Sequence, residues 1–363
     1  MKIIALMPAL DAPRVSRMLF VGHRFEVIMN ADSPHTHRWV TNIESLRAVV
    51  KPPPDAIRKK ILNRLEKHSQ HFVACSTLCA WKVAGESLEI AQGTRGWALP
   101  QSNGDITLSG VSWNGDPAPV GSLWVVPGIK ETLRVNGTLY AGEEGARLRP
   151  RWVFLQCPKA FVRSRVWDPG AWAQGVPLPN GSATSVDEVA GRFIENASIG
   201  FAATDGEERV DVSPRGDPRQ LFVRVLDSKT LLLPDRTGNR LVDTLTNLLH
   251  EPSLSLVLLQ PGSGDAIRIQ GSGRITDDPA LLAPSAVKRR VPKLGVVVRV
   301  ENVDLLPALV DALWDPAGFI DESDFPTMGE MILDQIVPGG RLNKLGARIF
   351  DLANGYHKRR KLY

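Results

Sequence analysis

The sequence predicts a mainly β protein with flanking helices, built from two tandem domains of one kind. Three observations predict it. Short runs rich in Val, Leu and Ile alternate with Gly, Pro and Asn turns, a helical stretch precedes each series of strands, and the two halves share a gapless internal match. The 363 residues, 43% hydrophobic and 23% charged, suffice for two globular cores. No apolar run approaches the roughly 18 residues of a membrane helix, so no membrane role is expected. Of the formal net charge of +5, Lys358, Arg359, Arg360 and Lys361 supply four charges. A terminal run of that kind is a solvated tail rather than a nucleic-acid stripe. Cys75, Cys79 and Cys157 cannot build a disulfide framework and fit a reducing compartment, so the expected location is the cytoplasm.

Residues 1–45 form an N-terminal segment with no assigned role. Its first ten residues read as a strand, because Pro8 interrupts the apolar run and no cleavage site follows. His35-Thr36-His37 could offer two metal ligands, but with no acidic or cysteine cluster nearby it reads as a surface loop, and no metal is expected. The first domain spans 46–174. Lys51-Pro52-Pro53-Pro54 leads rigidly into a helix over 55–72, with Ile57, Ile61, Leu62 and Leu65 at helical spacing. Strands follow at 122–126, 132–137 and 152–155. A Pro- and Gly-rich linker covers 175–186. A helix over 185–196 opens the second domain, 187–335, in which 210–215 and 230–234 are expected as neighbouring antiparallel strands and 241–249 as a helix. Residues 336–363 form the basic tail.

The internal match aligns Pro127-Gly128-Ile129-Lys130-Glu131-Thr132-Leu133-Arg134-Val135-Asn136-Gly137 with Pro261-Gly262-Ser263-Gly264-Asp265-Ala266-Ile267-Arg268-Ile269-Gln270-Gly271. Both read P-G-x-x-acid-x-aliphatic-R-aliphatic-x-G. Further on, Val166-Trp167-Asp168-Pro169 aligns with Leu313-Trp314-Asp315-Pro316. Two ordered matches argue for a duplicated unit.

Asp211-Val212-Ser213-Pro214-Arg215-Gly216-Asp217-Pro218, then Val223-Arg224-Val225-Leu226-Asp227 and Leu231-Leu232-Leu233-Pro234-Asp235-Arg236-Thr237-Gly238-Asn239-Arg240, resemble the pyridoxamine 5′-phosphate oxidase-like, FMN-binding split-barrel superfamily, in particular a bacterial flavin-nucleotide-binding branch. The resemblance covers most of 45–335. It implies two Greek-key split β-barrels forming an intramolecular pseudo-dimer, with FMN in the groove between them. The implied phosphate cradle comprises Ser213, Pro214, Arg215, Gly216, Asp235, Arg236, Asn239 and Arg240. The residue chemistry agrees: arginine forks suit phosphate oxygens, Gly216 and Gly238 admit close backbone approach, and Asn239 and Arg240 precede a helix N-terminus. Taken singly, these runs are a turn with a surface arginine and a loop with a helix cap. Together, at family spacing, they form a phosphate site.

The first half carries no clustered arginines at the corresponding places. It keeps Arg163-Ser164-Arg165 where the second half has Val310-Asp311-Ala312. One composite site per chain is therefore expected, with Lys130, Arg134, Arg163, Arg165 and Trp167 of the first half approaching the flavin ring or the substrate. The implied function is an FMN-dependent oxidoreductase acting on a small molecule, without assigned catalytic residues. The alternatives are a non-catalytic flavin carrier, a barrel for another flavin or deazaflavin, and a haem barrel using His250 or His71. The C-terminal Arg and His motif of pyridoxamine phosphate oxidase itself is not found. Gly262-Ser263-Gly264 lacks the strand and helix of a dinucleotide fingerprint. Further oligomerisation is left open.

Overall fold

Strands rich in Leu, Val and Ile, several of them buried on both faces, form two antiparallel sheets, which a computed structural model describes over residues 19–21, 24–26, 38–336 except 173, 174, 176 and 208, and at 346 and 362. The first ten residues, His35 to His37 and the basic run at 358–361 lie outside the described residues. In the N-terminal unit, Met1–His37, β1 (Leu19–Val21) and β2 (Arg24–Glu26) pair antiparallel. No described helix is long and apolar enough to cross a membrane.

The first sheet of the main unit contains β3 (Leu78–Val83), β4 (Leu88–Gln92), β5 (Ala98–Pro100), β6 (Ile106–Leu108), β7 (Ala118–Val125), β8 (Thr132–Tyr140) and β9 (Ala146–Leu155), in the order β4-β3-β7-β8-β9-β6-β5. After the short β10 (Gly181–Ala183), the second sheet contains β11 (Ile199–Thr204), β12 (Asp211–Gly216), β13 (Arg224–Asp227), β14 (Thr230–Asp235), β15 (Ser253–Leu259), β16 (Ala266–Thr276) and β17 (Leu294–Leu306), with β10 added to β17. Its order, β12-β11-β15-β16-β17-β14-β13, repeats that of the first sheet strand for strand. These are two tandem split barrels. The internal match lies on β8 and β16, and both carry a register shift at the same place, between Asn136 and Gly137 and between Gln270 and Gly271. Glycine is required there: a Cβ would lie 1.9 Å from the Arg149 carbonyl oxygen at Gly137 and 2.0 Å from that of Arg299 at Gly271.

The domains meet about a pseudo-two-fold axis. Trp172 and Phe319 are each the fifth residue after the tryptophan of a Trp-Asp-Pro motif. Trp172 lies against Gly262 of the second domain, and Phe319 against Gly128 of the first. Ring centroids are 5.2 Å apart for Trp167–Phe319, 5.9 Å for Trp172–Trp314 and 5.9 Å for Trp167–Trp314. Such reciprocal contacts are those of an isologous interface. Leu78, Leu123, Phe201 and Val257 extend it as one apolar layer shared by both sheets.

Three elements depart from expectation. The 55–72 helix is two helices, α2 (Asp55–Lys59) and α3 (Lys67–Cys75), which follow α1 (Ile43–Val49). Between them Leu62 exchanges backbone hydrogen bonds with Val153 at 2.9 and 2.8 Å, and Glu66 caps α3 through the N–H groups of His68 and Ser69. The domain boundaries at 46 and 335 do not match the packing. Val40 and Leu46 lie in the core of the second barrel, beneath α5 (Glu188–Asn196), while Phe325, Met331 and Ile332 lie in the core of the first. Each barrel is thus closed by a segment from beyond the other one. Finally, β12 and β14 are not hydrogen-bonded neighbours. They lie toward opposite ends of the strand order, and the curl of the sheet brings Arg215 and Asp235 together instead.

Leu46→Ala should therefore destabilise the second barrel by about 2–5 kcal/mol, read from urea unfolding. A loss below about 1 kcal/mol would show that α1 contributes little to that core.

Candidate functional site

A cavity of about 780 Å³ opens between the barrels. The first domain supplies Arg134 from β8, Gln156 and Cys157 after β9, and Lys159, Ala160 and Arg163 from α4 (Lys159–Ser164). The second supplies Ser213, Pro214 and Arg215 at the end of β12, residues 235–242, Leu245 of α6 (Asp243–Leu248), and residues 290–294. Val49, Val50 and Lys51 close a third side. Nine lysines and arginines line the space against one carboxylate, Asp235, so the lining is strongly cationic.

Arg134 is the hub of this wall. Its side chain is 2% exposed and forms ion pairs with Asp211 and, at 2.8 Å, with Asp243. Its Nη2 donates to Ser213 Oγ at 2.6 Å, and its guanidinium lies 5.1 Å from the Phe154 ring centroid. Gln156, with its amide oxygen turned inward, accepts from Nε at 2.8 Å. Ser213 donates to Asp211 at 2.8 Å, and Arg209 holds the other oxygen of Asp243 at 2.6 Å.

Around the cradle, Arg215 Nη1 pairs with Asp235 at 3.1 Å, while its Nε is buried without a hydrogen-bond partner. Asn239 Oδ1 accepts from the Leu241 N–H at 3.0 Å, and its Nδ2 is also buried and unpartnered. Arg240 is exposed and held at φ 65°, a conformation uncommon outside glycine. Arg236 lines the cavity, but its guanidinium turns to Asp217 and to the Ser285 carbonyl, 2.8 Å away. Arg163 Nε donates to the Gly216 carbonyl at 2.9 Å and lies 3.4 Å from Asp217. Burial pushes the carboxyls of Asp217 and Asp235 above their ordinary range, against the pull of the neighbouring arginines.

Ser213, Pro214, Arg215, Asp235, Arg236, Asn239, Arg240, Arg134 and Arg163 therefore converge on one cavity. Gly216 is not among the lining residues. Its bare Cα admits the backbone of α4, since a Cβ would lie 2.6 Å from the Ala160 carbonyl oxygen. Lys130, Arg165 and Trp167 line a second cavity of about 590 Å³. Arg165 caps α4 at φ 53°, which turns it away from Arg163 and onto Asp168. Lys130 pairs with Glu322 at 2.6 Å, and Trp167 Nε1 donates to the Ile129 carbonyl at 2.7 Å. Neither His71 nor His250 lines either cavity.

The pseudo-equivalent positions are differently filled. Ala91, opposite Cys79, occupies the place that Arg215 holds opposite Gly200. Arg268, the counterpart of Arg134, pairs with Glu89 of the other domain and, at 3.0 Å, with Asp304. Reading the sequence missed Lys51, Gln156, Cys157, Lys159, Arg290 and Lys293 on the main cavity. The basic run Lys288-Arg289-Arg290 ahead of Pro292-Lys293 was the available signal.

No family model and no curated protein matches the chain. Solved structures match it in part. A single-substitution variant of HupZ from Group A Streptococcus is 17% identical over 33% of this chain and 99% of its own, with TM-score 0.28. A Clostridium acetobutylicum protein related to general stress protein 26 of B. subtilis, of the pyridoxinephosphate oxidase family, is 16% identical over 33% of this chain and 92% of its own, with TM-score 0.25. The FAD binding protein from Mycobacterium smegmatis is 15% identical over 34% of this chain and 98% of its own, with TM-score 0.24.

Near Arg134, Lys60 is 5% exposed and donates to the Leu155 carbonyl at 2.6 Å. Burial lowers its pKa from 10.5 to about 8, with Arg134 lowering it further and Cys157 opposing. The folded state then holds fewer protons than the unfolded chain between those values, so this group adds stability as pH rises from about 8 to 10.5. Across that window wild type should gain on Lys60→Met by up to about 3 kcal/mol in chemical unfolding. A pH-independent difference between the two proteins would refute the shift.

Proposed function

We propose that the inter-domain cavity binds one FMN per chain and that the protein is an FMN-dependent oxidoreductase acting on a small molecule. The observation that carries this reading is a pair of buried, unpartnered donors, Arg215 Nε and Asn239 Nδ2, on the lining of a strongly cationic cavity. A buried donor without a partner is costly, and a phosphate oxygen would satisfy it. The volume lies in the range of about 300–1,000 Å³ usual for cofactor sites. Val49, Val50, Pro214, Val242 and Leu245 offer an apolar surface for a ring.

Arg215, Asn239 and Arg240 would hold the phosphate, with Asp235 orienting Arg215. Arg134 and Arg163, fixed from behind by carboxylates, would bring positive charge from the other domain. When bound, the flavin supplies the redox chemistry. The same reading takes the barrels as copies of one duplicated unit, supported by their common strand order and matched register shifts. A flavin carrier is the second reading. It is favoured by a described lining without histidine, whose one carboxylate is tied to Arg215. Anaerobic reduction by NADH or NADPH and reoxidation by oxygen separate enzyme from carrier.

The purified protein should bind one equivalent of FMN. Two lost charge-assisted contacts, at about 1.5–3 kcal/mol each, should make Arg215→Ala with Arg240→Ala weaken FMN by roughly a hundredfold or more. Riboflavin, lacking the phosphate, should be affected far less. Tight uptake of two equivalents, or FMN affinity unchanged in the double variant, would sink the proposal.

A further inference from the structure

We propose that Lys51 and Lys293 form a second anion position in the same cavity, so that its ligand set carries a second phosphate or carboxylate beyond the one held by the cradle. This rests on the anion-binding reading of the cavity. Three lining cations, Lys51, Arg240 and Lys293, have no hydrogen-bond or ion-pair partner among the described residues. Their placement differs. Arg240 shares a loop with Asn239, next to the end of β12, whereas Lys51 follows α1 and Lys293 immediately precedes β17.

Leu294 is paired with Asp235 across β14 and β17, which sets Lys293 beside Arg236 at the strand ends. The two cations are not equivalent. Arg236 is neutralised by Asp217, and Lys293 faces no carboxylate among the described residues. A phosphate monoester carries about −1.5 to −2 charges, and the cradle groups available to it are Arg240 and the unpartnered Nε of Arg215. Lys51 and Lys293 are left over. Two residues ahead of Lys293, Val291 is 45% exposed on the cavity lining, apolar surface in position to contact a ligand that extends past the cradle.

The test compares Lys51→Gln/Lys293→Gln with Lys288→Gln/Arg289→Gln. The second pair removes the same charge from the loop that carries Lys293, at residues that do not line the cavity. FMN, FAD and inorganic phosphate added to the FMN-loaded protein are titrated against each. In Lys51→Gln/Lys293→Gln, FMN affinity should stay within twofold of wild type. A loss of tenfold or more for FAD assigns the second anion to the cofactor, and the same loss for inorganic phosphate assigns it to the substrate. Loss of neither, equal loss for FMN, or equal loss in Lys288→Gln/Arg289→Gln overturns the proposal. If wild type takes up no flavin, the FMN reading fails separately. The second position is then judged with inorganic pyrophosphate: a tenfold preference over phosphate that Lys51→Gln/Lys293→Gln abolishes sustains it, and no preference overturns it.

Discussion

A guanidinium cannot be left unpaired in a protein interior, and Arg134 is buried at the junction of the two barrels. Phe154 and Gln156 of its own domain cover it, but the carboxylates that neutralise it, Asp211 and Asp243, belong to the second domain. The charge is therefore satisfied only when the barrels dock in one register. Removing one partner of such a group typically costs about 3–5 kcal/mol, a large fraction of a domain's stability. The cavity depends on that register, because its walls are the parts of each domain that Arg134 draws together.

The same frame would produce two grooves related by the pseudo-two-fold axis. Packing across the axis is kept reciprocal, with Trp172 against Gly262 and Phe319 against Gly128. Charge is not. Arg215 faces the main cavity where the equivalent position holds Ala91, and Arg163 has Val310 as its counterpart. Shape complementarity is needed on both sides for the barrels to dock, whereas anion binding needs its cations on only one. Arg268 shows the intermediate case, keeping the cross-domain contact of Arg134 but spending it on Glu89.

Crossed segments reinforce this arrangement. Leu46 reaches the core of the second barrel from ahead of the first, and Phe325 reaches the core of the first from behind the second, stacking on His71 and meeting Phe72 edge-on. Neither barrel's apolar face is completed by its own contiguous residues, so the two cores are coupled through the chain as well as through the interface.

Local chemistry determined what was legible in the sequence. The strand runs became β7, β8 and β9, the helix ahead of the second barrel became α5 behind its Asp187 cap, and the internal match became paired register shifts that only glycine fits. Arg215, Asn239, Arg240 and Arg134 were nameable because their residue types sit in recognisable turns and strands, and Arg163 because it stands just ahead of a Trp-Asp-Pro motif. Tertiary structure alone decided the rest. Nothing along the chain assigns Leu46 to the core of the second barrel, and spacing cannot show that a left-handed cap turns Arg165 from the cavity or that Lys51 and Lys293 line it together. Burial and charge are properties of single residues, readable in order along the chain; partnership between distant residues exists only after the barrels curl and dock.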